Sequence, residues 1–347
     1  MLRVLKKKQF WGGLIGLALL AFCLKDIKAA EIRSLLERIS YLQASLAILL
    51  SFVFIFLRAL RWRIMVTRQT PVSIARSVTL YAAGQVLNIV MPVLTGQVGR
   101  LILFSRKLGL RKTFVFSTVL LEVLFDAVSL ILFMAFTSLA FAFPKQYRDV
   151  SLIVGLVTLA VLIALYIMLH YQRWLEECGR RRLARRWPGV YVTLKKSMRS
   201  FAKGLELLKS SQHMVGTILY SLASWTGHMF VIYFLYRSFG FHLPIAAAAA
   251  LMIINTIVLM IPITPGNAGT FEVAVSTSLA AFSVGRTDAV LFALALHLLD
   301  LLPIVTIGLF FFHFEKVSLR EIKARHQDEI IFEKITEEGT FVDDDHN

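Results

Sequence analysis

The stretch Ile261–Glu272, IPITPGNAGTFE, places two prolines, two glycines and an asparagine in a strongly apolar part of the chain. Proline removes a backbone donor and glycine adds backbone freedom, so a regular helix is not expected to run through it. A second stretch, MPVLTGQVGR at Met91–Arg100, shares the pattern P-x-x-x-G-x-x-G. Pro92, Gly96 and Gly99 match Pro262, Gly266 and Gly269 at a constant offset of 170 residues. The fold is decided by what two matched helix breaks are doing among apolar residues.

Working outward, the breaks sit in a chain of 347 residues that is 57% hydrophobic, with a mean hydropathy of +0.69. The apolar residues form long blocks, which predicts an all-α, polytopic membrane protein. The formal net charge is +16. No basic, aromatic-interleaved soluble domain carries it, so nucleic acid is not an expected partner. Cys23 and Cys178 define neither a disulfide framework nor a metal site.

The charged start MLRVLKKKQF and the apolar run to Leu24 resemble a signal peptide, but KDIKAA is a poor cleavage site. An uncleaved first span is expected. Further spans are expected over 41–57, within 113–143, and over 150–170, 213–236 and 289–312, with a basic loop at 171–212. Residues 1–314 form one transmembrane domain and 315–347 a polar cytoplasmic tail. With the N-terminus inside, inside segments carry 29 Lys and Arg against 8 outside, so both termini are cytoplasmic.

That assignment gives both ends of the first broken segment to the inside and both ends of the second to the outside. Each reads as a re-entrant hairpin, and the halves 71–143 and 244–312 as an inverted repeat. Two opposed hairpins with a site between them are a transporter arrangement. Ordinary short spans joined by surface turns are the plainer alternative.

Intramembrane polar groups are costly and mark function or pairing. Arg100 follows the first break. Its planar fork suits phosphate, with the Gly96–Gly99 backbone beside it. Snorkelling, or pairing with Glu122 or Asp126, explains it equally. Glu122 and Asp126 share a helix face, as do His297 and Asp300. Glu272 follows the second break. These five are candidates for gating, charge tuning or a proton relay. Gln85, Asn88 and Asn255 are read as helix-to-helix hydrogen bonders. In the inner loop, Leu194, Met198, Phe201, Leu205 and Leu208 predict an interfacial helix. GxSxG, HExxH, CxxC and Walker A motifs are all absent from the sequence, so neither a catalytic centre, nor a cofactor, nor a metal is expected.

At these positions the sequence resembles the flippase-like membrane domain of the lysylphosphatidylglycerol synthase family. The resemblance rests on Asn88…Pro92, Gly96-Gln97…Arg100, Glu122…Asp126 and Pro262…Pro265-Gly266…Gly269…Glu272, and covers about Tyr41 to Phe312. It departs at Gln97, where a Glu is usual, at Asn267, where a second glycine is usual, and at His297 and Asp300, where many relatives carry an arginine. It implies a cytoplasmic (inner) membrane protein of bacteria that moves an anionic phospholipid or a lipid-linked, polyprenyl-type molecule between leaflets. Substrate contacts are then expected from Arg100, Gly96, Gln97, Gly99, Pro265, Gly266, Asn267 and Gly269. No soluble aminoacyl-transferase domain follows in this sequence, so synthesis of lysyl lipid is not expected. Two other classes stay open: a non-transporting accessory protein that scaffolds an envelope lipid or glycan synthase, and a small-solute or ion transporter.

Overall fold

The computed structural model describes residues 14–25, 27–67, 69–91, 94–139, 211–258 and 264–314, with isolated positions between 149 and 202. Pro92, Pro262, the tail from 315, about half of the span expected over 150–170 and nearly all of the inner-loop helix lie outside the described residues. The described chain is all-helical and contains no strand.

The helices are α1 (Leu14–Leu24), α2 (Ala29–Arg38), α3 (Tyr41–Thr67), α4 (Ile74–Val90), α5 (Leu94–Leu108), α6 (Lys112–Thr137), α7 (Ser211–Ser238), α8 (Ile245–Val258), α9 (Thr270–Ala280) and α10 (Arg286–Phe314). Among the described residues, α3, α6, α7 and α10 are long and apolar enough to cross a membrane. The others are short. At 1.5 Å per residue, α4 spans roughly 25 Å and α9 roughly 17 Å, less than a hydrocarbon core of about 30 Å.

Both expected breaks exist. α4 ends at Val90, and Met91 is extended at φ −93°, ψ 141° before α5 begins at Leu94. Between α8 and α9 the described residues include a 3-10 turn, Pro265–Asn267. Gly266, Asn267 and Gly269 all have positive φ there, at 59°, 58° and 84°. Glycine adopts that region freely and asparagine tolerates it.

Gly96 and Gly99 lie inside α5 rather than at its non-helical end. Their role is close packing. A Cβ on Gly96 would stand 2.6 Å from the Asn88 Cα. One on Gly84 would stand 2.9 Å from the Arg100 stem and the Phe104 ring. These contacts run α5 antiparallel along α4. At the other break, a Cβ on Gly269 would meet the Gly16 carbonyl at 2.6 Å, so α1 lies directly over the turn.

Among the described residues, two apolar clusters form the core. One gathers Trp62, Leu80, Tyr81, Leu87, Phe104 and Phe114 from α3 to α6. The other gathers Trp225, Ile232, Tyr236, Phe271 and Phe292 with the alanines of α8. α3 and α7 share the most extensive helix interface, and α10 packs along α4.

The span expected to stop at Leu57 continues to Thr67. Ala59, Trp62, Met65 and Val66 are buried and keep an apolar face running, so the helix carries Arg58 and Arg61 inward instead of ending before them.

Gly96→Ala is expected to lower thermal stability in detergent by about 1–3 kcal/mol, because backbone must move to admit the methyl group. Gly227→Ala in α7, with open space around its Cβ position, is expected to be neutral or slightly stabilising. Equal melting of the two variants would refute the close-packing role.

Candidate functional site

The second break is held by a chain of hydrogen bonds that starts at Glu272. One oxygen of Glu272 accepts from the Gly269 N–H at 2.7 Å and so caps α9. The other lies 2.7 Å from His297 Nδ1. His297 Nε2 lies 3.0 Å from the Gly266 carbonyl, and its ring stacks on Phe271 at 4.4 Å. Both ring nitrogens therefore face acceptors, an arrangement that an imidazolium satisfies in full. Thr264 and Thr270 complete the turn by donating to the Ala268 and Asn267 carbonyls. Without these partners the turn would leave polar backbone unsatisfied among apolar helices.

A cavity of about 270 Å³ opens where the two breaks come together. Gln85, Asn88 and Met91 line it from the end of α4, Thr264–Asn267 from the turn, and His297, Asp300 and Ile304 from α10. Asn88 donates to Gln85 at 3.0 Å. The side-chain oxygens of Asn88 and Asn267 are buried without a hydrogen-bond partner. Unsatisfied buried polar atoms are rare, and in a cavity wall they are groups a ligand or water satisfies. Gln85 and Asn88 thus line the cavity, which goes beyond the helix-to-helix bonding expected of them.

Away from the cavity, three arginines and two carboxylates meet inside the bundle. Asp126 accepts from Arg61 at 2.5 and 3.3 Å, from Trp225 Nε1 at 3.0 Å, and from Arg58. Arg61 has no exposed side-chain surface; it also donates to Ser221 at 3.0 Å and reaches Glu122 at 3.6 Å. Arg100 pairs with Glu122, and its guanidinium lies over the Tyr81 and Phe104 rings at 4.9 and 5.1 Å. Asp300 connects the two regions. It borders the cavity, and its carboxylate sits 3.0 Å from His228 Nε2. His228 stacks on Phe54 at 4.8 Å, and Arg58 lies over that same ring at 5.2 Å.

The candidate residues therefore separate into groups. Pro265, Gly266, Asn267, His297 and Asp300 are brought to the cavity. Glu272 stands just behind it, and Gly269 caps α9. Arg100, Glu122 and Asp126 belong to the ion cluster. Gly96 and Gly99 pack α5 onto neighbouring side chains and backbone, and Gln97 is exposed. Arg58, Arg61, Ser221, Trp225 and His228 were not singled out by sequence. Ser221, Trp225 and His228 have helical spacing of four and three, but only the fold shows that they meet Arg61, Asp126 and Asp300 respectively.

Residues 9–308 match the family described as the lysylphosphatidylglycerol synthase TM region. The chain belongs to that family. No curated protein and no solved structure matches it. The family's TM region thus contains the whole cavity and the whole ion cluster described above.

Removing one member of a buried ion pair leaves the other uncompensated, at a cost of about 3–5 kcal/mol, whereas replacing both with apolar groups is often near neutral. Glu122→Met alone, which leaves three arginines facing only Asp126, is expected to lose that much stability in detergent unfolding, and Glu122→Met with Arg100→Met to recover most of it. No recovery in the double variant would argue against a mainly pairwise role for Arg100.

Proposed function

We propose that the protein moves a lipid headgroup across the bacterial cytoplasmic membrane while the acyl chains stay in the lipid. The cargo class is an anionic phospholipid or a lipid-linked molecule of the polyprenyl type. The observation that carries the reading is the polar cavity at the meeting point of two helix breaks. A cavity of about 270 Å³ suits a small polar headgroup and has no room for acyl chains. Irregular backbone at membrane depth is tolerated where it lines such a cavity, and transporters place their sites at broken helices.

In this reading α4–α5 and α8–α9 are re-entrant hairpins of opposite orientation, the two arms of an inverted repeat. Their lengths, the antiparallel contacts between α4 and α5, and the distribution of Lys and Arg support it. Both termini lie in the cytoplasm. The protein acts as a transporter rather than an enzyme, with membrane lipid as its partner. His297 holds the turn at the Gly266 carbonyl and Asp300 borders the path, so these two serve as gate residues.

The test is a leaflet-exposure assay in proteoliposomes with headgroup-labelled phosphatidylglycerol, phosphatidylethanolamine and a polyprenyl phosphate. Wild type is expected to expose the inner-leaflet label of at least one lipid. His297→Phe, which keeps the stack on Phe271 and loses both hydrogen bonds, is expected to slow exposure about tenfold or more while remaining folded. If wild type matches empty liposomes for every lipid, lipid transport is refuted, and co-purification with a synthase would support an accessory role.

Orientation has its own test. In a background lacking Cys23 and Cys178, Ile74→Cys is expected to react only from the inside and Gly285→Cys only from the outside. Labelling of both from one side would exclude the inverted arrangement.

A further inference from the structure

The buried ion cluster does not balance. Among the described residues, Arg58, Arg61 and Arg100 bring three positive charges, and Glu122 and Asp126 bring two negative ones. Asp126 already accepts hydrogen bonds from two arginines and from Trp225, which leaves no place for a proton on it. Arginine does not deprotonate in proteins. The cluster therefore carries one surplus positive charge inside an apolar bundle, where an uncompensated charge is costly.

The surplus resides at Arg58. The Arg100 side chain is 5% exposed and that of Arg61 is fully buried, whereas that of Arg58 is 22% exposed. One terminal nitrogen of Arg58 donates to Asp126. Its Nε is buried with no partner, as are those of Arg61 and Arg100; what sets Arg58 apart is that it shares its one carboxylate, Asp126, with Arg61. The guanidinium lies 5.2 Å from the Phe54 ring and 5.6 Å from the Trp225 ring. Rings on this side hold the fork in place without using its donors. His228, which stacks on Phe54, has a buried Nδ1 that also lacks a partner. Its other nitrogen reaches Asp300 at the cavity edge. Two buried nitrogens without a partner, Arg58 Nε and His228 Nδ1, thus flank the Phe54 ring.

We infer that Arg58 is the binding residue for one anionic, phosphate-type group, which neutralises the three-arginine, two-carboxylate cluster. This deepens the transport reading and rests on it only for the group's being a lipid headgroup. The shared chemistry is a phosphate oxyanion, whether it arrives on a lipid or as free phosphate. Arg100, committed to Glu122, then acts as a positioning residue for the cluster.

Binding is measured on the purified full chain in detergent, independently of transport, by thermal shift and by direct titration. The probes are phosphatidylglycerol, inorganic phosphate and the uncharged lipid diacylglycerol. Wild type is expected to bind phosphatidylglycerol and to ignore diacylglycerol. Arg58→Gln keeps a donor for Asp126 and balances the cluster at two against two. It is expected to bind phosphatidylglycerol about tenfold more weakly or worse, yet to melt no lower than ligand-free wild type. Arg58→Met serves as a second neutral variant should the glutamine variant fail to fold. Competition by inorganic phosphate would identify the oxyanion as the recognised group; no competition, with lipid binding still lost in the variants, would identify the lipid-borne phosphodiester. Unchanged phosphatidylglycerol affinity in the neutral variants, or no binding by wild type, overturns the assignment. Binding that depends on Arg58 in a protein that moves no lipid would keep the anion site and refute transport.

Discussion

Satisfying broken backbone away from water is the constraint on which this structure depends. Unpaired amides and carbonyls in hydrocarbon cost several kcal/mol each. The turn at Pro265–Asn267 meets that constraint through one carboxylate with two tasks. Glu272 caps the helix that follows the turn and fixes the imidazole that holds the carbonyl within it. The turn, α9 and α10 are thereby joined at one acidic side chain, and the cavity wall owes its shape to that junction. Pro303, one turn beyond Asp300 in α10, has no N–H to offer the Leu299 carbonyl, so the helix loses one of its own hydrogen bonds there.

The ion cluster solves a different problem. Apolar packing between helices in lipid gains little from hydrophobicity, since the surrounding tails are equally apolar. Directional contacts therefore fix which helices are neighbours. Asp126 alone joins α6 to α3 and α7, and Glu122 joins α6 to α5. A wholly apolar interior of the same volume could be as stable, but it would not specify those neighbours so sharply. Gly84 belongs to the same device, because its missing Cβ lets the Arg100 stem cross α4.

Much of this was legible in the sequence, for identifiable reasons. Helix breaks are written in proline and glycine, so Met91–Arg100 and Ile261–Glu272 could be located by composition and spacing. Glu122 with Asp126, and His297 with Asp300, could be placed on shared faces because helical spacing is local. Arg58 and Arg61 were not legible, because three arginines in RALRWR read as a loop by charge. Only their partners, contributed from 61 to 160 residues away (Glu122 for Arg61 and Ser221 for Arg61 being the extremes), allow them inside. For the same reason Arg100 could be recognised as costly but not matched to one carboxylate. Gly96 and Gly99 illustrate a further limit: a glycine that frees backbone for a ligand and one that admits a neighbouring helix look identical in sequence.

A surplus positive charge in the bundle bears directly on the barrier a lipid headgroup must cross. An anionic headgroup alone in hydrocarbon meets a prohibitive desolvation cost, and a lone arginine meets a comparable one. Brought together they form a neutral unit, in which neither charge is exposed to the acyl region unpaired. Arg58 is nine residues from the C-terminal end of α3, roughly 14 Å along the helix, which is well within the apolar length. A balanced cluster at that depth would repel no anion but would also offer it no compensation. An excess of one charge, held by two rings and one shared carboxylate, offsets the cost of a single negative charge while leaving a neutral lipid without advantage.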